Sequence, residues 1–137
     1  MSRQKRAIDL TIKPKKAIIA AIDRFGADDT EVSLDELVLL LENLHIPTVA
    51  RVIQRRNTPD PAAFIGAGKA DEIKDFASKT DATLVVVDDF LSPTQKSNLQ
   101  KTLSIEVWDR AFVIMKIFES RAHTAEEKLQ VELAKYR

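Results

Sequence analysis

Two short runs in this chain read as strands without alternation: Ala17-Ile18-Ile19-Ala20-Ala21-Ile22, and Ala82-Thr83-Leu84-Val85-Val86-Val87, which is fully apolar in its centre. A strand with one wet face alternates apolar and polar residues. An unbroken apolar strand must be covered on both faces, as in the middle of a parallel sheet. Parallel strands need long crossovers, usually helices. The segments between these runs are therefore expected to be helices packed on the two faces of one sheet.

The rest of the chain fits that demand. Ser33-Leu34-Asp35-Glu36 has the form of a capping box, followed at helical spacing by Leu37, Val38, Leu41 and Leu44, and Ile46-Pro47 ends the helix. Thr48–Gln54 is rich in β-branched residues and reads as a second strand. A helix from about Lys69 to Lys79 has Ala70, Ile73 and Ala77 inside. Ser92-Pro93-Thr94-Gln95 starts an outer helix that buries little beyond Leu99 and Leu103. Ser104–Trp108 reads as an edge strand, and Asp109 caps a helix from Arg110 to about Arg121. That helix is apolar on nearly all sides (Phe112, Val113, Ile114, Met115, Ile117, Phe118), so it is expected to be covered on more than one side. Thr124-Ala125-Glu126-Glu127 reads as one more capping box, opening a last helix with Leu129, Leu133 and Tyr136 on a stripe. The expected fold is α/β: a small, mostly parallel sheet of four strands in the order 2-1-3-4, flanked by helices, with the start of a long helical hairpin at the C-terminus. The expected division is a basic arm over 1–16, an α/β domain over 17–122, and the first part of a helical hairpin or linker over 123–137.

Composition excludes some functions. The chain of 137 residues has 21 Lys or Arg and 21 Asp or Glu, so nucleic-acid binding would need a local patch rather than a global field. There is no cysteine, hence no thiolate metal site and no Cys nucleophile. No apolar run reaches the roughly 18 residues of a membrane span, and the start carries no signal-peptide core, which makes the cytoplasm the default location.

The segment with most punctuation is Arg55–Lys69, which holds Pro59, Pro61, Gly66 and Gly68. Gly66-Ala67-Gly68-Lys69 running into a helix invites comparison with phosphate loops. The pattern G-x-x-x-x-G-K-[ST] needs Gly at 63 and Ser or Thr at 70, where Ala63 and Ala70 stand; G-x-G-x-x-G needs Gly at 71, where Asp71 stands. Asp71 and Glu72 are expected in the first helical turn, where they oppose an anion. Gly66, Gly68 and Lys69 thus read first as a structural turn, with anion or nucleotide binding as the alternative. Asp23, Asp88 and Asp109 each follow a predicted strand. They are candidate Mg²⁺ ligands, against the plainer reading as caps and solvated loop residues. The histidines His45 and His123 sit at expected helix ends, and no Ser, His and acid share a framework. Arg121, His123, Lys128, Lys135 and Arg137 gather near the end of the chain among four glutamates between 119 and 132, the pattern of a solvated face.

Taken together, several pieces are specific: Arg55-Arg56, Pro59-Asp60-Pro61, Phe64-Ile65-Gly66-Ala67-Gly68-Lys69, Leu91-Ser92-Pro93 with Gln95, Asp109-Arg110, Ile117-Phe118 with Arg121-Ala122, and Lys128-Leu129-Gln130-Val131-Glu132-Leu133-Ala134. In this order and spacing they resemble the N-terminal region of HflX-type GTPases, over roughly residues 17–137. The resemblance implies a small α/β domain and a helical hairpin ahead of a GTPase domain. It also implies binding to the large ribosomal subunit and its RNA, a role in splitting ribosomes, and restraint of the protein's own GTPase domain. The chain departs from the family where Ala111 replaces a frequent Thr, Lys116 a frequent Asp and Glu127 a frequent Gly.

Three functional expectations follow. The first is a ribosome-binding, regulatory module that is not itself an enzyme. Its RNA-contact candidates are Arg55, Arg56, Arg121, His123, Lys128, Lys135 and Arg137. GTP and Mg²⁺ belong to an absent GTPase domain, and the chain self-associates through its last apolar stripe. The second is a nucleotide-binding domain, with ATP as a candidate ligand, using Gly66, Gly68 and Lys69. The third is a Mg²⁺-dependent enzyme using Asp88 and its neighbours.

Overall fold

A computed structural model of the chain describes residues 14–25 and 29–135. Four strands, β1 (Ala17–Asp23), β2 (Thr48–Arg55), β3 (Leu84–Val87) and β4 (Glu106–Asp109), alternate with four helices: α1 (Thr30–Glu42), α2 (Ala67–Thr80), α3 (Pro93–Leu103) and α4 (Arg110–Lys135). The strands form one sheet in the order β2-β1-β3-β4, every pairing parallel. The expected fold and strand order are both present.

The unbroken apolar runs are central, as their composition requires. Ile18, Ala20, Val85, Val87 and Val107 face a core shared with Ala70, Ile73 and Ala77 of α2 and Leu99 and Leu103 of α3. Ala17, Ile19, Ala21, Leu84, Val86 and Trp108 face the opposite core, with Leu34, Leu37 and Leu41 of α1 and Val113 and Ile117 of α4. Helices α1 and α4 thus cover one face, and α2 and α3 the other.

Five boundaries differ from expectation. Strand β3 starts at Leu84 rather than Ala82. Helix α1 begins at Thr30, so Ser33-Leu34-Asp35-Glu36 lies inside it and is not its capping box. The extra residues are anchored by Thr30, whose hydroxyl donates to Asp23 Oδ1 at the end of β1 (3.0 Å). Helix α2 begins at Ala67, so Asp71 and Glu72 lie beyond its first turn, which contains no acid. Strand β4 starts at Glu106 rather than Ser104, because Ser104 (φ 56°) is the left-handed cap that ends α3. The expected break before Thr124 does not occur. α4 is a single helix of 26 residues with neither Gly nor Pro, and the Thr124 hydroxyl back-bonds to the Ser120 carbonyl (3.0 Å). The division expected at 122/123 therefore falls in mid-helix. The Ser92/Gln95 capping box and the Asp109 cap are formed as expected.

Helix α4 is covered on one side only. Val113 and Ile117 are buried, whereas Ile114, Met115 and Phe118 are exposed, as are Leu129, Val131 and Leu133 further along. Among the described residues no helix is long and apolar enough to cross a membrane.

Candidate functional site

Because all four strands run the same way, their carboxyl ends meet on one edge of the sheet. There β1 leads to a helix on one face and its neighbour β3 to a helix on the other, which makes a crevice outside the strand ends. The crevice is a groove of about 220 Å³ lined by Arg24, Asp29, Thr30, Ser33, Asp88 and Asp89 with the ends of β1. Just outside it lie the loop from β2 to α2 and the first residue of α4.

That loop is held from several directions. Asp60 Oδ1 accepts the amides of Ala62 (2.7 Å) and Ala63 (3.0 Å), and the backbones of Asp60 and Phe64 bond each other reciprocally at 2.9 Å. The amides of Ala63 and then Ala62 hold the Asp60 carboxyl below the usual carboxylate range. Phe64 takes a left-handed conformation (φ 69°) and is only 1% exposed, plugging the core under the loop. From α3, Gln95 Nε2 donates to the Asp60 carbonyl and Asn98 Nδ2 to the Ala62 carbonyl, both at 2.9 Å.

The expected anion-binding trio is drawn into the same scaffold. The Gly66 amide donates to Gln54 Oε1 (2.9 Å), and a Cβ on Gly66 would stand 2.9 Å from Gln54 Nε2. Lys69 Nζ pairs with Glu72 at 2.9 Å. Gly68 alone faces open space. These contacts describe a braced turn between β2 and α2. The acid-free first turn of α2 removes one argument against an anion there, while the Gln54 bond and the Glu72 pair draw off two of the three groups.

The three candidate metal carboxylates lie on this edge but are engaged separately. Asp23 accepts from Thr30. Asp109 Oδ1 accepts the Phe112 amide (2.9 Å) and Oδ2 the Leu91 amide (3.1 Å). The Asp88 side chain is 4% exposed and pairs with Arg110, Oδ1 to Nη1, at 2.8 Å. Arg110 Nη1 also reaches Ser33 Oγ (3.0 Å), and Nη2 reaches Glu36 Oε2 (2.8 Å). Burial works against the Arg110 cation, but hydrogen bonds to Asp88 and Glu36 outweigh it and raise the pKa. Among the described residues no three His, Cys, Asp or Glu side chains are grouped to hold a metal ion.

The RNA-contact candidates divide between two ends. Arg55 and Arg56 are on the carboxyl edge: the Arg55 guanidinium lies 5.3 Å from the centroid of the Phe25 ring, and Arg56 Nε donates to the Thr58 carbonyl (3.1 Å). Arg121, His123, Lys128 and Lys135 are exposed on α4, with His123 paired to Glu127 at 2.9 Å. Arg137 lies outside the described residues. Helix α4 starts at the carboxyl edge and runs back past the other, where Lys116, Glu119 and Ser120 border a groove of about 670 Å³ with Pro14, Lys15, Ile46 and Trp108. The two basic groups are therefore not one patch.

Three residues of the carboxyl edge were not singled out from sequence. Arg110 appears in the sequence as the start of a helix and as half of the Asp109-Arg110 piece of the resemblance, with no role of its own. Phe25 and Phe90 look like ordinary loop residues, yet they are 59% and 75% exposed. An aromatic beside a polar pair in a connection, as in Asp88-Asp89-Phe90, is the one local signal.

Known proteins agree with this architecture. A family model described as GTP-binding GTPase N-terminal matches residues 31–119. The GTPase HflX of Lacrimispora saccharolytica is 43% identical over 130 residues, covering 95% of this chain and 31% of its own length. The GTPase HflX of Escherichia coli is 38% identical over 113 residues, covering 82% of this chain and 26% of its own. This chain thus spans about a third or less of these relatives. The crystal structure of SsGBP in complex with GDP shares the fold, with a TM-score of 0.60 at 23% identity over 88% of this chain and 34% of that one.

Proposed function

This chain belongs to the GTP-binding GTPase N-terminal family, as the N-terminal region of an HflX-type GTPase, and from that premise we propose that it is the ribosome-binding, regulatory module of such a protein. It binds the RNA of the large ribosomal subunit in the cytoplasm, positions the GTPase domain of the same protein, and takes part in separating ribosomal subunits. GTP hydrolysis, with its GTP and Mg²⁺, belongs to the remainder of the protein and not to this region. The observation that carries the reading is the extent of the match, which covers nearly all of this chain but only the N-terminal part of proteins named as GTPases.

The fold suits that role. The sheet is packed on both faces, the loop from β2 to α2 is braced, and α4 projects from the sheet with basic and apolar residues on its surface. Arg55 and Arg56 on the block, and Arg121, His123, Lys128 and Lys135 on the helix, are the groups offered to phosphates.

Co-sedimentation with purified large subunits tests this. The chain is expected to pellet with the subunit at low salt and to be released as salt rises, and reversing Arg55 and Arg56 to Glu should weaken it. A chain that stays in the supernatant at 50 mM salt, while the full-length protein pellets, would overturn it. A second reading, a nucleotide held by Gly66, Gly68 and Lys69, draws on the open environment of Gly68 and the acid-free first turn of α2. A calorimetric titration with ATP and GTP, with Lys69→Ala as control, separates the two.

A further inference from the structure

We propose that Phe25, Phe90 and Arg55 form a stacking platform on the carboxyl edge of the sheet that takes unpaired bases of an RNA strand. The proposal rests on the ribosome-binding reading and assigns that contact a place and a chemistry.

The geometry begins with β1 and β3, which are neighbours in the sheet. The loops that leave them are joined by an ion pair, Arg24 Nη2 to Asp89 Oδ2 at 3.3 Å. Phe25 and Phe90 are the next residues on those two adjoining loops. Neither ring belongs to either core cluster, and both stand largely in water. Two exposed phenyl rings on adjoining loops at a topological switch point form the kind of apolar surface that marks a binding site.

The polar surroundings select the partner. Asp23, Asp60, Asp88 and Asp89 are each occupied by a donor of the protein itself. Asp29, at the N-cap of α1, remains as an acid on the rim. Among the described residues, neither Arg55 nor Arg56 has a carboxylate within ion-pair distance, and Arg55 already lies over the Phe25 ring. Flat rings with a guanidinium lying over one of them and a second arginine alongside match single-stranded RNA. Each base offers a π-face whatever its identity, and the phosphates between bases meet the arginines. A protein partner would need only apolar area and would accept an aliphatic side chain where a base needs a ring.

The test is fluorescence anisotropy of the whole chain with a labelled mixed-sequence ten-nucleotide RNA, single-stranded and as a duplex, beside co-sedimentation with large subunits. The single strand is expected to bind more tightly than the duplex. Phe25→Ala and Phe90→Ala should each weaken it on the order of tenfold, Phe90→Tyr should keep most of the affinity, and Phe90→Leu should behave like Phe90→Ala. Both positions are exposed, so unchanged thermal melting is expected for every variant. Absence of single-strand binding, equal binding of the duplex, or full affinity in Phe90→Leu overturns the platform. If the Phe25→Ala, Phe90→Ala double variant pellets with subunits as the parent chain does, the platform falls and the ribosome reading stands. If the parent chain itself does not pellet, the ribosome reading falls and the oligonucleotide alone decides the platform.

Discussion

Asp88 and Arg110 stand 22 positions apart in sequence and meet at 2.8 Å, Oδ1 on Nη1. Asp88 is the first residue after β3 and Arg110 the first of α4, so the pair fastens the long helix to the middle of the sheet. The same guanidinium reaches Ser33 and Glu36 and so includes α1. Truncating Arg110→Ala leaves the Asp88 carboxylate, 4% exposed, without a cation. The expected loss is about 2 kcal/mol, below the full cost of a broken buried pair because Arg110 itself is partly exposed. Arg110→Lys keeps the charge but not the fork and should lose about half as much. Urea unfolding measures both; a loss under about 0.5 kcal/mol for the alanine variant would mean the pair is not a fastening.

Asp60 gives a pH signature. Its carboxyl is held below the ordinary value by the amides of Ala63 and Ala62, so it titrates lower in the folded chain than in the unfolded one. Its contribution is therefore present above the unfolded value of 3.8 and is lost as pH falls through the folded one. Asp60→Asn keeps an acceptor for both amides but no charge. The stability difference between parent and variant should shrink as pH is lowered from 5 towards 2, followed by urea midpoints. A difference that stays constant over that range would assign the turn to geometry alone.

Glycines 66 and 68 should part company. Gly68 lies in α2 and a Cβ there meets nothing, so Gly68→Ala is expected to stabilise by about 0.5 kcal/mol. Gly66→Ala displaces Gln54 and loosens its bond to the Gly66 amide, at a cost of about 1 kcal/mol. Thermal melting reads the signs. Destabilisation by both would show that the open space at Gly68 is filled in solution.

The exposed leucines of α4 should drive self-association. Leu129 and Leu133 lie one helical turn apart and are both exposed. The molar mass of the isolated chain is expected to rise with concentration in light scattering, and the Leu129→Glu, Leu133→Glu variant should remain at one mass. A parent chain whose mass does not change with concentration rules this out.

The sheet was legible because its order depends on few residues. Ala17–Ile22 and Leu84–Val87 can only be central, and the β-branched Thr48–Gln54 and the short Ser104–Trp108 are left for the edges. Helix starts were less legible because cap patterns are local and the winning anchor is not. Ser33-Leu34-Asp35-Glu36 has the right letters, but Thr30 is tied to Asp23 and moves the start back a turn. Thr124-Ala125-Glu126-Glu127 has them too, but with no Gly or Pro upstream the helix runs through and Thr124 bonds back to Ser120. The carboxyl edge was legible only in part. Asp23, Asp88 and Asp109 were located by their place after strands, but their partners Thr30, Arg110 and the Leu91 and Phe112 amides are products of folding. Phe25 and Phe90 carry no sequence mark of exposure beyond the charged neighbours they have in their connections.

The uninterrupted helix α4 also has a mechanical consequence. Its 26 residues extend about 39 Å at 1.5 Å per residue, with no hinge residue between the sheet and Lys135. Val113 and Ile117 seat its first two turns on the sheet, so the arm that stands free runs from Ile117 to Lys135, about 27 Å. A difference of about 5° in the direction of that seat displaces the far end by about 2 Å, more than one residue's rise along a helix.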